Sequence, residues 1–168
     1  ILYTATPQAN LLIDINSPLS PNFGDVISSG VAYTGIKEFF ESKNTKKIIK
    51  TIPSSLDHKN SSVMPKTLME ATSCFLIGLA DGHIKGEDQK EDSNRTMYIH
   101  PDRTKVIHEM YKTWIDRYLD DLEQGIAIND EKTTISNLRS AYKDIKSTYT
   151  NISDFKKLLR VSRSTVLP

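Results

Sequence analysis

Residues 102–125, DRTKVIHEMYKTWIDRYLDDLEQG, carry the pattern that decides the fold class. Large apolar residues recur at intervals of three and four along this stretch, which is the spacing of one face of an α-helix. They are Val106, Ile107, Met110, Tyr111, Trp114, Ile115, Tyr118, Leu119 and Leu122. The stretch follows Pro101 and ends at Gly125, so the pattern predicts one long amphipathic helix.

A second long helix is predicted directly after it, beginning at Asn129 or Asp130 and ending near Tyr149. Its apolar residues follow a 3-4-3-4 spacing, which is typical of the seam between two paired helices. They are Ile135, Leu138, Tyr142, Ile145 and Tyr149. Because the connection is short, we expect the two helices, about 102–124 and 130–149, to form a long antiparallel hairpin.

Helical spacing also predicts helices over 25–42, 45–52 and 64–80, and a short last helix capped by Ser153. The second half of the 64–80 helix is apolar on every side, which is typical of a central, buried helix. We expect it to end at Asp81-Gly82, with Gly82 in the left-handed position. Strand signals are nearly absent, so the sequence predicts an all-α protein, a compact helical bundle of five to seven helices.

Domain organisation is predicted from the prolines and from composition. Residues 1–21 form an N-terminal arm or a short helix, 22–162 a single helical domain, and 163–168 a loose tail. Within the domain, residues 85–100 are expected to form an exposed acidic loop. The chain begins at Ile1 rather than Met, so we expect a processed chain or part of a larger protein or complex.

Composition argues against several classes of protein. There are 22 basic and 21 acidic residues, and this net charge of +1 argues against a general nucleic-acid binder. The longest apolar run, Cys74–Ala80, is much shorter than the ~20 residues that span a bilayer. One cysteine and no visible signal peptide favour a cytoplasmic location over a secreted one.

Charge is nevertheless ordered along the chain, as basic, acidic and basic blocks over 44–66, 67–102 and 151–168. The two basic blocks could meet in space and bind an anion. The candidate anion-binding residues are Lys46, Lys47, Lys50, Lys156, Lys157 and Arg160. A peripheral anionic-membrane or nucleic-acid binding protein is therefore one alternative function.

No catalytic residue, metal site or cofactor is predicted. Cys74 lies on the most apolar helix, which favours a core residue over a nucleophile. The stretch 81–92 has acidic residues at the spacing of a calcium loop, but Lys85 occupies a ligand position. The histidines do not form a zinc motif. A helical enzyme or effector with a site built from dispersed polar residues, around His83, His100 or His108, is the other alternative.

The stretch 79–84, LADGHI, resembles the helix-end motif of TerB-like helical proteins of the tellurite-resistance type. In that family the next helix starts at once with apolar residues, whereas residues 85–94 contain none here. The resemblance covers six residues and implies no function for this chain.

The aromatic residues of the two long helices lead to the favoured function. Aromatic side chains are enriched at the energetic centres of protein interfaces. The candidate partner-binding residues are Tyr111, Trp114, Tyr118, Tyr142 and Tyr149. The sequence therefore predicts a helical protein–protein interaction module, such as a scaffold, adaptor or regulatory subunit, whose partner is another protein or a second copy of itself.

Overall fold

A computed structural model describes most of the second half of the chain and parts of the first. The described residues are 13–14, 16–20, 22–25, 27–28, 30–31, 33–43, 45, 49–52, 61–87 and 94–162. The chain divides into two compact units, Ile1–Ile49 and Lys50–Pro168, whereas the sequence prediction places the division after residue 21.

Among the described residues of the first unit, a π-helix spans Lys37–Glu41. The helix predicted over 25–42 is wrong at the described positions between 27 and 35, which are not helical. Gly30 and Gly35 raise the entropic cost of a helix there. Burial does not repay that cost, because the large apolar side chains of this region are exposed: Phe23, Ile27, Val31, Tyr33, Ile36 and Phe40.

The second unit contains four α-helices: α1, Lys66–Ile84; α2, Lys105–Ala127; α3, Thr134–Thr148; and α4, Phe155–Val161. The described part of the chain contains no strand, so the predicted all-α helical bundle is confirmed. Among these described helices, none combines the length and the apolar character needed to cross a bilayer.

Helix α1 lies at the centre of the second unit, as its apolar sequence predicts. It packs against α2, α3 and α4, and α2 also packs against α3. The shared core draws on all four helices. Its buried members are Leu76, Ile77, Ala80, Tyr118, Leu122, Ile126, Ile135, Leu138, Ala141, Tyr142, Phe155 and Leu158. The antiparallel arrangement of α2 and α3 stays a prediction.

The ends of α1 and α2 both lie beyond the glycines that the sequence suggests. Helix α1 continues through Gly82, and Gly86 takes the left-handed conformation with φ +68°. Helix α2 continues through Gly125, and Asn129 takes that conformation with φ 58°. The predicted left-handed cap at Gly82 is therefore wrong, and so is the helix end at Gly125.

The end of α2 is a Schellman motif, which satisfies the last carbonyls of the helix. The Asp130 N–H donates to the Gly125 carbonyl at 2.8 Å, and the Asn129 N–H donates to the Ile126 carbonyl at 3.2 Å. Asn replaces Gly at the left-handed position, since a short polar side chain tolerates it better than most.

Helix α3 begins at Thr134 because Asp130 caps it. The Asp130 carboxylate accepts the backbone N–H groups of Lys132 at 3.2 Å and of Thr134 at 3.2 Å. The backbone hydrogen bond from Thr134 is the largest influence that lowers the pKa of Asp130. The predicted start at residue 129 or 130 is therefore the turn and cap, and not the first turn of the helix.

Gly82 and Gly125 are instead points of close approach. A Cβ added at Gly82 would lie 2.8 Å from the guanidinium of Arg95, and one at Gly125 would overlap the side chain of Thr134. At both glycines, a side chain from elsewhere in the chain occupies the space that the glycine's own Cβ would need. Gly78, in the middle of α1, has no such neighbour within 4 Å.

These contacts predict opposite effects of alanine at two helical glycines. We expect Gly125→Ala to lower the free energy of unfolding by about 1–3 kcal/mol, because Thr134 must move. Gly78→Ala, the matched control, is expected to raise it by up to about 1 kcal/mol, through helix propensity alone. Urea unfolding followed by circular dichroism measures both, and equal effects at the two positions would contradict the close approach.

A buried carboxylate ties the end of α1 to the segment that leads into α4. Asp81 is buried, and it accepts hydrogen bonds from the Lys85 ammonium at 2.7 Å and from the Ser153 N–H at 2.8 Å. The same ammonium donates to the Tyr149 hydroxyl at 2.8 Å and to the Asn151 carbonyl at 2.7 Å. One turn of α1 therefore holds the connection between α3 and α4.

This arrangement corrects the predicted cap of α4. The N-cap residue is Asp154, which makes no side-chain capping bond, while the N–H of Ser153 is used by Asp81.

Burial raises the pKa of Asp81, but the hydrogen bonds from Lys85 and Ser153 lower it by more, so the pKa lies below the ordinary value for aspartate. A carboxyl whose pKa is lower in the folded state adds stability that is fully present above its unfolded pKa of about 4. That stability is lost as the pH falls through the folded pKa.

We therefore expect Asp81→Asn to lower the free energy of unfolding by about 1–3 kcal/mol at about pH 7. The difference in free energy of unfolding between the wild type and the variant should shrink as the pH falls through the folded pKa of Asp81. Urea unfolding at a series of acidic pH values measures this difference. The control is Asp116→Asn, which breaks an exposed i,i+4 pair with Lys112 and should change the free energy of unfolding little, because water and salt screen exposed charges. A difference between wild type and Asp81→Asn that does not change with pH would contradict this role.

Candidate functional site

An open groove of about 370 Å³ lies between the extended residues 97–101 and the first half of α2, and we call it the α2 groove. The lining combines apolar residues with charged and polar ones. They are Met97, Ile99, Pro101, Tyr111 and Ile115, together with His108, Glu109, Lys112 and Asp116.

The double width of the apolar stripe on α2 explains how one helix serves both the core and the groove. Trp114, Tyr118 and Leu122 are buried. Tyr111 and Ile115 are half-buried and line the groove beside them. A helix that contacts a core on one side only needs a narrower stripe. The extra width is therefore used by the groove.

The extended wall of the groove is fixed at both ends by polar contacts. At one end, the Arg95 guanidinium donates to the Gly78 carbonyl at 2.7 Å and pairs with Glu87. At the other, the His108 ring donates through Nε2 to the Asp102 carbonyl at 2.6 Å, since a carbonyl can only accept. These contacts connect the wall to α1 and to α2.

Three rings form an aromatic ridge, Tyr98–His100–His108, at the edge of the groove. The ring centres of Tyr98 and His100 are 6.0 Å apart, and those of His100 and His108 are 5.2 Å apart. His108 lines the groove, whereas Tyr98 is 82% exposed. The ridge therefore extends from the groove into solvent, and it presents a large aromatic side chain there.

The charged side chains of the groove carry both signs. Lys112 pairs with Asp116 at 2.7 Å, and its hydrogen bond to that carboxylate raises the pKa of Lys112. Burial raises the pKa of Tyr111, so its hydroxyl stays protonated at neutral pH. This groove can therefore hold an apolar group and make polar contacts around it, without a strong preference for one charge.

The predicted partner-binding aromatics do not form one surface. Tyr111 lines the groove, and its ring centre lies 5.1 Å from that of Trp114. Trp114, Tyr118 and Tyr142 are buried, and Tyr118 also makes a 2.6 Å hydrogen bond with the hydroxyl of Ser73. Tyr149 directly follows the C-terminal end of α3 and is exposed. Their binding role stays a prediction.

The predicted anion-binding residues lie only partly within the described part of the chain, and their binding role stays a prediction. Lys46 and Lys47 lie outside the described residues. Lys50 pairs with Asp144. Lys156, Lys157 and Arg160 are exposed together on α4.

The polar residues of the enzyme alternative are partly brought together. His100 and His108 are neighbours in the aromatic ridge, but Nε2 of His108 is occupied by the Asp102 carbonyl. Within the described ranges, no three His, Cys, Asp or Glu side chains form a group that could hold a metal ion.

Cys74 is half-buried, and its sulfur lies 3.9 Å from the Asp144 carboxylate. Burial raises the pKa of the Cys74 thiol, and the charge of Asp144 raises it further. An activated nucleophile needs the opposite shift.

We therefore expect Cys74 to react with iodoacetamide at least about tenfold more slowly in the folded protein than in the urea-unfolded chain at the same pH. Asp144→Asn should speed the reaction of the folded protein, because it removes the larger of the two nearby negative charges that raise the pKa of the thiol, while Lys50, which lowers that pKa, remains. A folded wild-type protein that reacts as fast as the unfolded chain would identify Cys74 as an activated thiol.

The extended wall of the groove is the part of the site that the sequence prediction missed. Residues 85–100 were predicted to be an exposed acidic loop, but Met97 and Ile99 are half-buried and line the groove. The alternation of half-buried Met97 and Ile99 with exposed Tyr98 and His100 has the two-residue period of an extended chain. That alternation is the signal in the sequence that could have found the wall.

Residues 67–165, more than half of the 168-residue chain, match the model of a family described as the Z1 domain. The matched stretch contains the groove, all of α2, α3 and α4, and nearly all of α1. No curated protein and no solved structure matches the chain.

Proposed function

The chain belongs to the Z1 domain family, and we propose that it is a helical protein–protein interaction module that binds a peptide segment of its partner in the α2 groove. The observation that carries the proposal is the apolar lining of the groove beside the exposed aromatic ridge. A scaffold, an adaptor or a regulatory subunit would each use such a groove to bind its partner.

Burial at the groove supports this function. Met97, Ile99 and Ile115 are half-buried, so part of each apolar side chain is still available for a partner. Tyr98 and Val106 are both more than three-quarters exposed, at the edge of the groove and at the start of α2. A partner that covered these side chains would gain about 25 cal/mol for each Å² of apolar surface removed from water.

The polar residues of the lining favour a peptide over a purely apolar ligand. Glu109, Lys112 and Asp116 are exposed, and they supply both hydrogen-bond donors and acceptors. A peptide with one apolar side chain, and with backbone polar groups on either side of it, fits such a mixed lining. Interfaces typically have an apolar centre and a polar rim.

Selection from a displayed peptide library tests the proposal. Peptides selected on the wild-type protein should share an apolar residue, and binding should alter the fluorescence of Trp114, the only tryptophan, which contacts Tyr111. Met97→Asp places a charge in the apolar lining, so it should weaken binding by about tenfold or more.

The matched control is Ile128→Asp, which adds the same charge at a 78%-exposed apolar residue beyond the end of α2. It should leave peptide affinity within about twofold of the wild type. Circular dichroism and urea unfolding establish that both variants are folded. Selected peptides that bind Met97→Asp as tightly as the wild type would exclude the groove as the binding site, and a selection that enriches no peptide would exclude peptide recognition.

A further inference from the structure

The outer side of α3 and α4 carries six exposed basic residues, which we call the α3–α4 basic surface. They are Arg139, Lys143, Lys146, Lys156, Lys157 and Arg160. Residues 139, 143 and 146 are spaced four and three apart along α3, so they lie on one side of that helix over about 10 Å. The surface shares no residue with the lining of the α2 groove.

A pair of aromatic rings joins the basic residues of the two helices. The rings of Tyr142 on α3 and Phe155 on α4 have centres 5.3 Å apart. Arg139 lies over the Phe155 ring at 4.8 Å, and the Lys146 ammonium lies 5.4 Å from the centre of the Tyr142 ring. Contact between the two buried rings therefore places Arg139 of α3 next to the start of α4. Lys156 directly follows Phe155 there.

Three cations of the surface, Lys143, Lys156 and Lys157, have no ion-pair partner among the described residues. The Asp144 carboxylate on α3 pairs with Lys50, and Glu131 pairs with Arg139. The surface therefore presents several ammonium groups to solvent, on two helices that are in contact through Tyr142 and Phe155.

We propose that the α3–α4 basic surface binds an acidic segment of a partner protein. Charge complementarity identifies carboxylates as the partner groups. We choose a short acidic segment over a long polyanion such as nucleic acid because the same unit carries exposed carboxylates on α2, at Asp120, Asp121 and Glu123. A short acidic segment can bind the basic surface without extending over α2, whereas a long polyanion that reached α2 would be repelled there.

The test uses the full chain and a fluorescein-labelled peptide of alternating Glu and Ala residues. Fluorescence anisotropy at low salt should show binding that weakens by about tenfold or more between about 20 and 200 mM salt, because the contacts are solvent-exposed charges. A Lys-Ala peptide of equal length and a single-stranded oligothymidine of similar charge are measured in parallel. The Glu-Ala peptide should bind more tightly than either.

Charge reversal at the surface should remove binding of the peptide. The triple variant Lys143→Glu, Lys156→Glu, Lys157→Glu is expected to lose about tenfold or more in affinity for it. The matched control reverses three exposed bases elsewhere, Lys66→Glu, Arg117→Glu, Lys132→Glu, with the same change in net charge. It should retain most of the affinity, and so should Met97→Asp in the groove.

Four results would overturn the proposal. Equal losses in the two triple variants would show that net charge alone attracts the peptide. Tighter binding of oligothymidine would assign the surface to nucleic acid. Absence of peptide binding at low salt would exclude an acidic segment. Self-association of the wild type that is lost in the basic-surface variant would identify a second copy as the occupant. Because Met97→Asp affects only the groove, failure here is distinguishable from failure of the proposed function.

Discussion

The second unit depends on one buried carboxylate at the end of its central helix. A charge taken out of water is costly unless it is fully hydrogen-bonded. Asp81 meets that requirement with the lysine that directly follows α1 and a backbone N–H from the segment before α4. Since α1 packs against all three other helices, this residue fixes where the chain turns after α3. The position of α4, and with it the side of the unit that carries the exposed bases, follows from that contact.

The sequence predicted those features of the fold that depend on local apolar patterns, and it failed where the contacting residues are far apart in the sequence. The apolar spacing of α2 and α3 and the all-round apolar α1 predicted the helices and the central position of α1, because burial alone sets those patterns. The helix ends were predicted less well, because Gly82 and Gly125 resemble terminal glycines. Their function is to leave room for Arg95 and Thr134, which lie 13 and 9 residues later in the sequence. A local pattern contains no information about such contacts.

The candidate site shows the same limit. The sequence analysis recognised that α2 has more apolar residues than one core contact needs, and this excess is what lines the groove. It did not find the opposite wall of the groove, because the acidic residues before position 95 led to the whole of 85–100 being interpreted as one exposed loop. It also identified the basic residues of α4, but the bases of α3 become their neighbours through the tilted contact of the Tyr142 and Phe155 rings. Tertiary contacts of this kind have no periodic signal.

The wall of the groove differs from the helices in how it is held. Residues 95–102 have no helical hydrogen bonds, and their contacts at the two ends are polar and partly solvent-exposed. A segment held in this way opens locally at a lower free energy than a packed helix does. Its backbone amides should therefore exchange with solvent deuterium without global unfolding, while those in the middle of α1 exchange only when the whole unit unfolds. The groove therefore has one wall that belongs to the core and one wall whose stability depends on a few polar contacts at its ends.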